Sequence, residues 1–230
     1  MTFEKERQVL VIFPHPDDEA FGVSGTIASH VNNGTPVTYA CLTLGEMGRN
    51  LGNPPFATRE SLPIIRRQEL KDAASALGIQ DLRMLGLRDK TIEFEDDEKL
   101  ADLMYAMIQE LNPSLIITFY PGYSVHPDHE ATGRAVVRAV GRIPKDKRPK
   151  LHCVAFSNNC VEELGEADIR YNVKSVEKQK IAAIMAHRSQ TQYMVAAWGD
   201  KLETQDPELL AWIHNERFWT YQWPEENQKV

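Results

Sequence analysis

His15-Pro16-Asp17-Asp18-Glu19 and His126-Pro127-Asp128-His129 are two short clusters in which imidazoles and carboxylates stand side by side. Hydrolysis by metal-activated water needs about three N or O ligands and one open position. It also needs a base to take a proton from that water, whose pKa zinc lowers to roughly 7. The two clusters together hold such a set. His15 and Asp18 are suited as two ligands on one turn, and His129, at the start of a helix, supplies the third. Asp17, adjacent to a ligand but pointing elsewhere, is the natural general base. His126 is then free to polarise a scissile carbonyl or protonate a leaving amine, with Asp128 to orient that imidazole. One Zn2+ per subunit is the expected cofactor, although such ligands also accept Fe2+, Co2+ or Mn2+.

Asp17-Asp18-Glu19 ahead of a helix is equally a capping and dipole-matching sequence. The duplication tells against a purely structural role. Each cluster follows an apolar run, Val9-Leu10-Val11-Ile12-Phe13 in one case and Leu115-Ile116-Ile117-Thr118-Phe119 in the other. Short continuous apolar runs are the pattern of strands buried on both faces of a parallel sheet. Ligands of such sheets bind at the carboxyl ends of the strands, where both turns fall.

The same reasoning places strands over 8–13, 37–44, 82–85, 115–119 and 151–156, with helices over 21–33, 63–77, 96–111, 130–140 and 174–188. Strand-helix alternation predicts an α/β fold, a single-domain Rossmann-like three-layer sandwich with a mostly parallel sheet across residues 1–230. Residues 45–61, rich in Gly, Asn and Pro, form a long irregular loop of the kind that is often functional. Beyond residue 190 the pattern is less regular.

With 42% hydrophobic and 26% charged residues the chain is globular stock, and its net charge of −7 opposes binding to nucleic acid or an anionic membrane. No stretch approaches the ~20 apolar residues of a membrane span. Charges interrupt residues 1–8, so no signal peptide is expected. Cys41, Cys153 and Cys160 lack CxxC spacing; Cys41 and Cys153 sit in strand-like runs as core residues, and a reducing cytoplasm fits. There is no GxGxxG fingerprint, GxxxxGK[ST] phosphate loop or GxSxG elbow, which disfavours dinucleotide, nucleotide and serine-hydrolase readings.

Pro14-His15-Pro16-Asp17-Asp18-Glu19 and His126-Pro127-Asp128-His129 resemble the paired motifs of the LmbE-like, or PIG-L, N-acetylglucosamine deacetylases. Arg66-x-x-Glu69 before Ala73 and Leu77-Gly78 is similar to that family's helix, as is Lys180-x-x-Ala183-x-x-x-His187-x-Ser189-Gln190. The resemblance runs from Val9 to Gln190. It implies zinc ligation by His15, Asp18 and His129, Asp17 as base, and His126 as acid or oxyanion stabiliser with Asp128 as its partner. Arg66 matches a substrate-contacting arginine. Several relatives have Tyr-Gly before the second motif where this chain has Ser124-Val125, so Tyr123 is displaced by one position. Within the family the chain most resembles the bacillithiol-biosynthesis deacetylases acting on N-acetylglucosaminyl malate.

The implied partner is therefore a small sugar substrate. Malate's two carboxylates suit arginine's planar fork, which makes Arg49, Asn50 and Arg59, in or beside the loop, further candidates with Arg66. Surface salt bridges are the commoner fate of such residues. Trp198, Trp212, Trp219 and Trp223 offer faces for sugar stacking, or a core or homo-oligomer contact. Competing functions are a bacillithiol S-conjugate amidase, a deacetylase of another N-acetylglucosamine derivative, and a non-catalytic metal- or sugar-binding module.

Overall fold

The computed structural model describes residues 3–224, so the ends of the 1–230 span lie outside the described residues. The elements follow in the order β1 (Val9–Phe13), α1 (Asp18–Gly22), α2 (Ser24–Asn32), β2 (Val37–Cys41), α3 (Leu62–Leu77), β3 (Asp81–Met84), α4 (Asp97–Leu111), β4 (Leu115–Phe119), α5 (Pro127–Gly141), β5 (Lys150–Val154), α6 (Cys160–Leu164), β6 (Ile169–Asn172), α7 (Glu177–Ala186), α8 (Arg188–Trp198), α9 (Pro207–His214) and β7 (Asn215–Thr220). They build one seven-stranded sheet in the order β3-β2-β1-β4-β5-β7-β6.

Strands β1 to β5 are parallel, with Val9 beside Val37 on one flank and Leu115 on the other. Every residue of β1, β2 and β4 is buried. Successive side chains of a strand face opposite ways. Val9, Val11 and Phe13 accordingly pack with Ile27, Ala28, Leu70, Leu77 and Ile184 from α2, α3 and α7. Leu10 and Ile12 pack with Met104, Ile108, Val136 and Val140 from α4 and α5. Apolar side chains on both faces explain why these runs do not alternate with polar residues.

The chain leaves β1 outward through β2 and β3, then returns to build β4 and β5 on the other flank. The strand order therefore reverses between β1 and β4, and the crevice at their carboxyl ends is where open α/β sheets bind ligands. The turns after these two strands are the two His-Pro-Asp clusters.

The three-layer, mostly parallel fold is the one expected, with differences in detail. The helix expected over 21–33 begins at Asp18 and breaks at Val23, whose backbone leaves helical geometry. Helix α5 starts at Pro127, with His126 as its N-cap, so the second cluster lies in its first turn. The stretch beyond residue 190 is ordered as α8, α9 and β7. Strands β6 and β7 went unread because each buries only part of its face; β7 pairs antiparallel with both β5 and β6. Residues 45–61 hold neither helix nor strand, as expected. Cys41, Cys153 and Cys160 are buried free thiols, and no helix among the described residues is long and apolar enough to cross a membrane.

Candidate active site

His15 and His129 meet across the β1/β4 crevice, with 3.2 Å between His15 Nδ1 and His129 Nε2. Asp18 lies against both, its carboxylate oxygens 3.4 Å from His15 Nδ1 and 3.3 Å from His129 Nε2. An ion with tetrahedral ligands about 2.0–2.1 Å away separates those ligands by about 3.3–3.4 Å. The contacts among the three residues are of that length, with Asp18 presenting Oδ2 to His15 and Oδ1 to His129. The residues present therefore fit a small divalent cation.

The opposite faces of both imidazoles are fixed so that the right nitrogen points inward. His129 Nδ1 donates to the Ser124 carbonyl at 3.1 Å, leaving the Nε2 lone pair for the cation, and its ring stacks on Phe119 at 4.1 Å. His15 Nε2 faces two carboxylates, Asp128 at 3.1 Å and Asp89 at 3.2 Å. Carboxylates behind a ligating histidine set its tautomer and raise its basicity. Burial opposes protonation of His15, but Asp128, Asp18 and Asp89 more than offset it and hold its pKa well above the ordinary value. Burial likewise opposes ionisation of Asp18, yet His129 and His15 keep its carboxyl well below the usual range. In both cases the pocket is built for positive charge.

Asp128 thus departs from the role expected of it. Its carboxylate accepts the Lys90 and Ile92 backbone N–H groups at 2.7 and 3.1 Å and faces His15, not His126. What His126 receives is the Asp128 backbone N–H, 3.1 Å from Nδ1. An acceptor Nδ1 leaves the proton on Nε2, so the helix cap itself selects the tautomer. Burial and the neighbouring His15 and His129 push the His126 pKa down. It is therefore a neutral N–H donor lining the cavity. Among the described residues, two sets hold donor atoms within 4.8 Å of one another: His15, His126 and His129, and His15, Asp89 and Asp128; Asp18 lies against the first set through His15 and His129.

Asp17 occupies the N-cap position of α1 without capping it. Its φ of 109° is a strained value for a residue with a side chain. Val125, at φ 53° just before His126, and Lys90, at φ 63° just after Asp89, share that feature. Such strain costs about 1–3 kcal/mol per residue and gathers at functional sites. Burial pushes the Asp17 carboxyl up, Arg66 pulls it down and Asp18 pushes it up again, and the result is about 6. A carboxylate so placed is still ionised at neutral pH yet basic enough to accept a proton.

Arg66, 3% exposed, donates from Nη2 to Asp17 Oδ2 at 2.9 Å and to the Pro16 carbonyl, and from Nη1 to the Gly45 carbonyl at 2.8 Å. It joins the first cluster to the start of the 45–61 loop. A Cβ on Gly45 would sit 1.7 Å from Arg66 Nη1, and its φ of +62° also demands glycine. Behind Asp17, the buried Glu19 carboxylate accepts from Asp17 N at 3.1 Å and Tyr39 Oη at 3.0 Å, and meets His187 Nε2 at 2.6 Å. His187 thus supports the site from behind.

The other substrate candidates separate cleanly. Arg49 lines the cavity of about 950 Å³ that opens from the cation site, together with Arg66, Gln190 and Trp212. Asn50 and Arg59 do not: Asn50 donates to the Gln190 carbonyl and Arg59 to the Gly48 carbonyl, both pinning loop backbone. Tyr123 is turned away, its hydroxyl bonded to Glu163 at 2.9 Å. Trp198 and Trp219 are core residues, and Trp223 packs under Arg148. Sequence reasoning missed Asp89, although it stands just past the carboxyl end of β3, where the strand-end rule points. It also missed Phe156, at the end of the expected 151–156 strand, and, since β6 and β7 were unread, Arg170 and Arg217 on the cavity wall.

Fold and site together define a class: an α/β protein with a histidine–carboxylate cluster able to hold a cation at the carboxyl edge of a mostly parallel sheet. The family model for GlcNAc-PI de-N-acetylase, PIG-L, matches residues 10–140. The chain belongs to that family and is an enzyme of its deacetylase class, a hydrolase of amide bonds. It is 56% identical over 218 residues to a Bacillus cereus protein named "Probable N-acetyl-alpha-D-glucosaminyl L-malate deacetylase 2", covering 95% of this chain and 99% of that one. The Bacillus subtilis protein of the same name is 54% identical with the same coverage. Among solved structures, the N,N'-diacetylchitobiose deacetylase of Pyrococcus horikoshii superposes with a TM-score of 0.71 at 25% identity, over 96% of this chain and 85% of that one. A 4-carboxy-2-hydroxymuconate hydratase from Pseudomonas putida superposes nearly as well, TM-score 0.70 at 19% identity over 94% and 96%. That likeness is of fold alone.

Proposed function

We propose that this enzyme removes the N-acetyl group from N-acetylglucosaminyl L-malate, a step of bacillithiol biosynthesis, using cation-activated water. The observation that carries the reading is the cluster of His15, Asp18 and His129, with the Arg66-held Asp17 carboxylate and the His126 imidazole beside it. The near full-length match to Bacillus proteins bearing that substrate's name supports the choice of sugar. The donor set and its spacing suit Zn2+.

His15, Asp18 and His129 would hold the divalent ion, which would supply an acidified water and a positive charge near the acetyl carbonyl. Asp17 takes a proton as the water oxygen attacks the carbonyl carbon. His126 Nε2–H donates to the oxygen that becomes negative, a contact worth more in a desolvated cavity than in water. Arg66 keeps the Asp17 carboxylate turned toward its task. As the C–N bond breaks, the proton held by Asp17 passes to the sugar nitrogen, leaving acetate and a free amine.

The test is acetate release from N-acetylglucosaminyl malate by purified enzyme, its loss with a chelator and its return with Zn2+. Asp17→Asn is expected to keep the cation and to lose about 10²-fold or more in kcat. An Asp17→Asn enzyme with wild-type turnover removes the base assignment.

A further inference from the structure

The cavity leading from the cation site does not stop at the parallel strands. Strand β7 runs antiparallel to β5, so its first residues lie at the same edge of the sheet as the ends of β1 and β4. Asn215, Glu216 and Arg217 line the cavity there, with Trp212 and Arg170. At about 950 Å³ the cavity holds more than one sugar ring.

Arg170 and Arg217 are direct partners across the β6–β7 ladder. Like charges so placed repel unless something negative lies between them. Among the described residues Arg170 has only the solvent-exposed Glu166 as counterion. Arg217 has no hydrogen bond or ion pair among the described residues; its guanidinium lies 5.4 Å from the Trp219 ring. A guanidinium over an aromatic face is attracted to the ring while its N–H groups stay free to meet a carboxylate. Of the arginines nearer the reaction, Arg66 is committed to Asp17 and Arg59 to the loop backbone, while Arg49 lines the cavity on the loop side, away from β7 in sequence.

Building on the deacetylase reading above, we propose that Arg217 and Arg170, opposite one another on the β6–β7 ribbon, form an anion subsite that receives the carboxylates of the substrate's aglycone. The sugar's acetamido group then lies at the cation site and the acidic aglycone lies toward β7. Two forks facing one cavity suit two carboxylates, and a bidentate guanidinium–carboxylate contact is directional as well as strong. On a chain of net charge −7, this cationic pair also attracts an acidic aglycone to an otherwise repelling surface.

The test compares three N-acetyl-α-glucosaminides whose aglycones are methyl, glycolate and L-malate, carrying no, one and two carboxylates. Wild-type kcat/KM is expected to rise along that series. Arg217→Ala should lower the malate-to-methyl ratio about tenfold or more, chiefly through KM, with part of the ratio restored in Arg217→Lys. The exposed position of Arg217 makes these variants foldable. An unchanged ratio in Arg217→Ala overturns the subsite. Calorimetric binding of the deacetylated product, glucosaminyl L-malate, needs no turnover and separates the two claims. Weakened binding in Arg217→Ala keeps the subsite even if no substrate is hydrolysed, which would sink the deacetylase reading alone; equal binding removes the subsite.

Discussion

Asp128 shows how one residue's neighbours decide its role. Next to His126 in sequence, it reads as that imidazole's partner; in space its carboxylate serves His15, and only its backbone N–H reaches His126. The two assignments predict different phenotypes. Asp128→Asn weakens the lock on the His15 tautomer, so cation affinity is expected to fall about 10–100-fold. Titration with Zn2+ against a competing chelator measures this. Wild-type affinity with impaired turnover would return Asp128 to His126. The ligands themselves were legible because each cluster is local and follows its own buried strand. Asp89 was not, because its contact with His15 joins the stretch after β3 to the end of β1, and its place past a strand end is the one mark its own segment carries.

At the scale of elements, Arg66 ties helix α3 to the turn after β1 and to the 45–61 loop. The sequence marked that loop by its Gly, Asn and Pro content but gave no sign that an arginine side chain would be its anchor. Replacing Arg66 by Met leaves the Pro16 and Gly45 carbonyls and the Asp17 carboxylate without their donor. Breaking a buried pair of this kind costs about 3–5 kcal/mol, visible as a lower urea midpoint. The same change acts on chemistry with a definite sign. Arg66 holds the Asp17 pKa down against burial, so its loss raises that pKa, and the base form is then lost at higher pH. The acid limb of kcat/KM is expected to move upward in Arg66→Met. A limb that stays in place would mean that Asp17 is not the group titrating, or that Arg66 does not govern it. Elements were readable where both faces of a strand are apolar, as in β1 and β4. They were not where a strand covers only one side, as in β6 with its alternating exposure; that is where the arginine pair was hidden.

For the whole molecule, two histidines away from the site add to the loss of stability in acid. His30 on α2 and His152 on β5 are buried, and His30 Nδ1, His30 Nε2 and His152 Nδ1 have no hydrogen-bond partner among the described residues. Burial pushes both pKa values down to about 4, with Lys150 adding to the effect. Between pH 6.5 and 4 the unfolded chain therefore binds protons that the folded chain refuses, and stability falls with pH. His15 and His187, whose pKa values are raised in the fold, add nothing to the slope well below 6.5, where they are protonated in both states. Asp17 acts in the opposite sense, taking up its proton in the folded state from about pH 6. One histidine depressed from 6.5 to about 4 is worth about 2 kcal/mol by pH 5. A non-titrating His152→Gln substitution is expected to remove that share. In chelator-treated protein, the stability difference between variant and wild type should shift by about 2 kcal/mol in favour of the variant between pH 7 and 5. Urea midpoints that keep the same separation at both pH values would show that His152 accepts its proton in place, and that the fold opens to acid elsewhere.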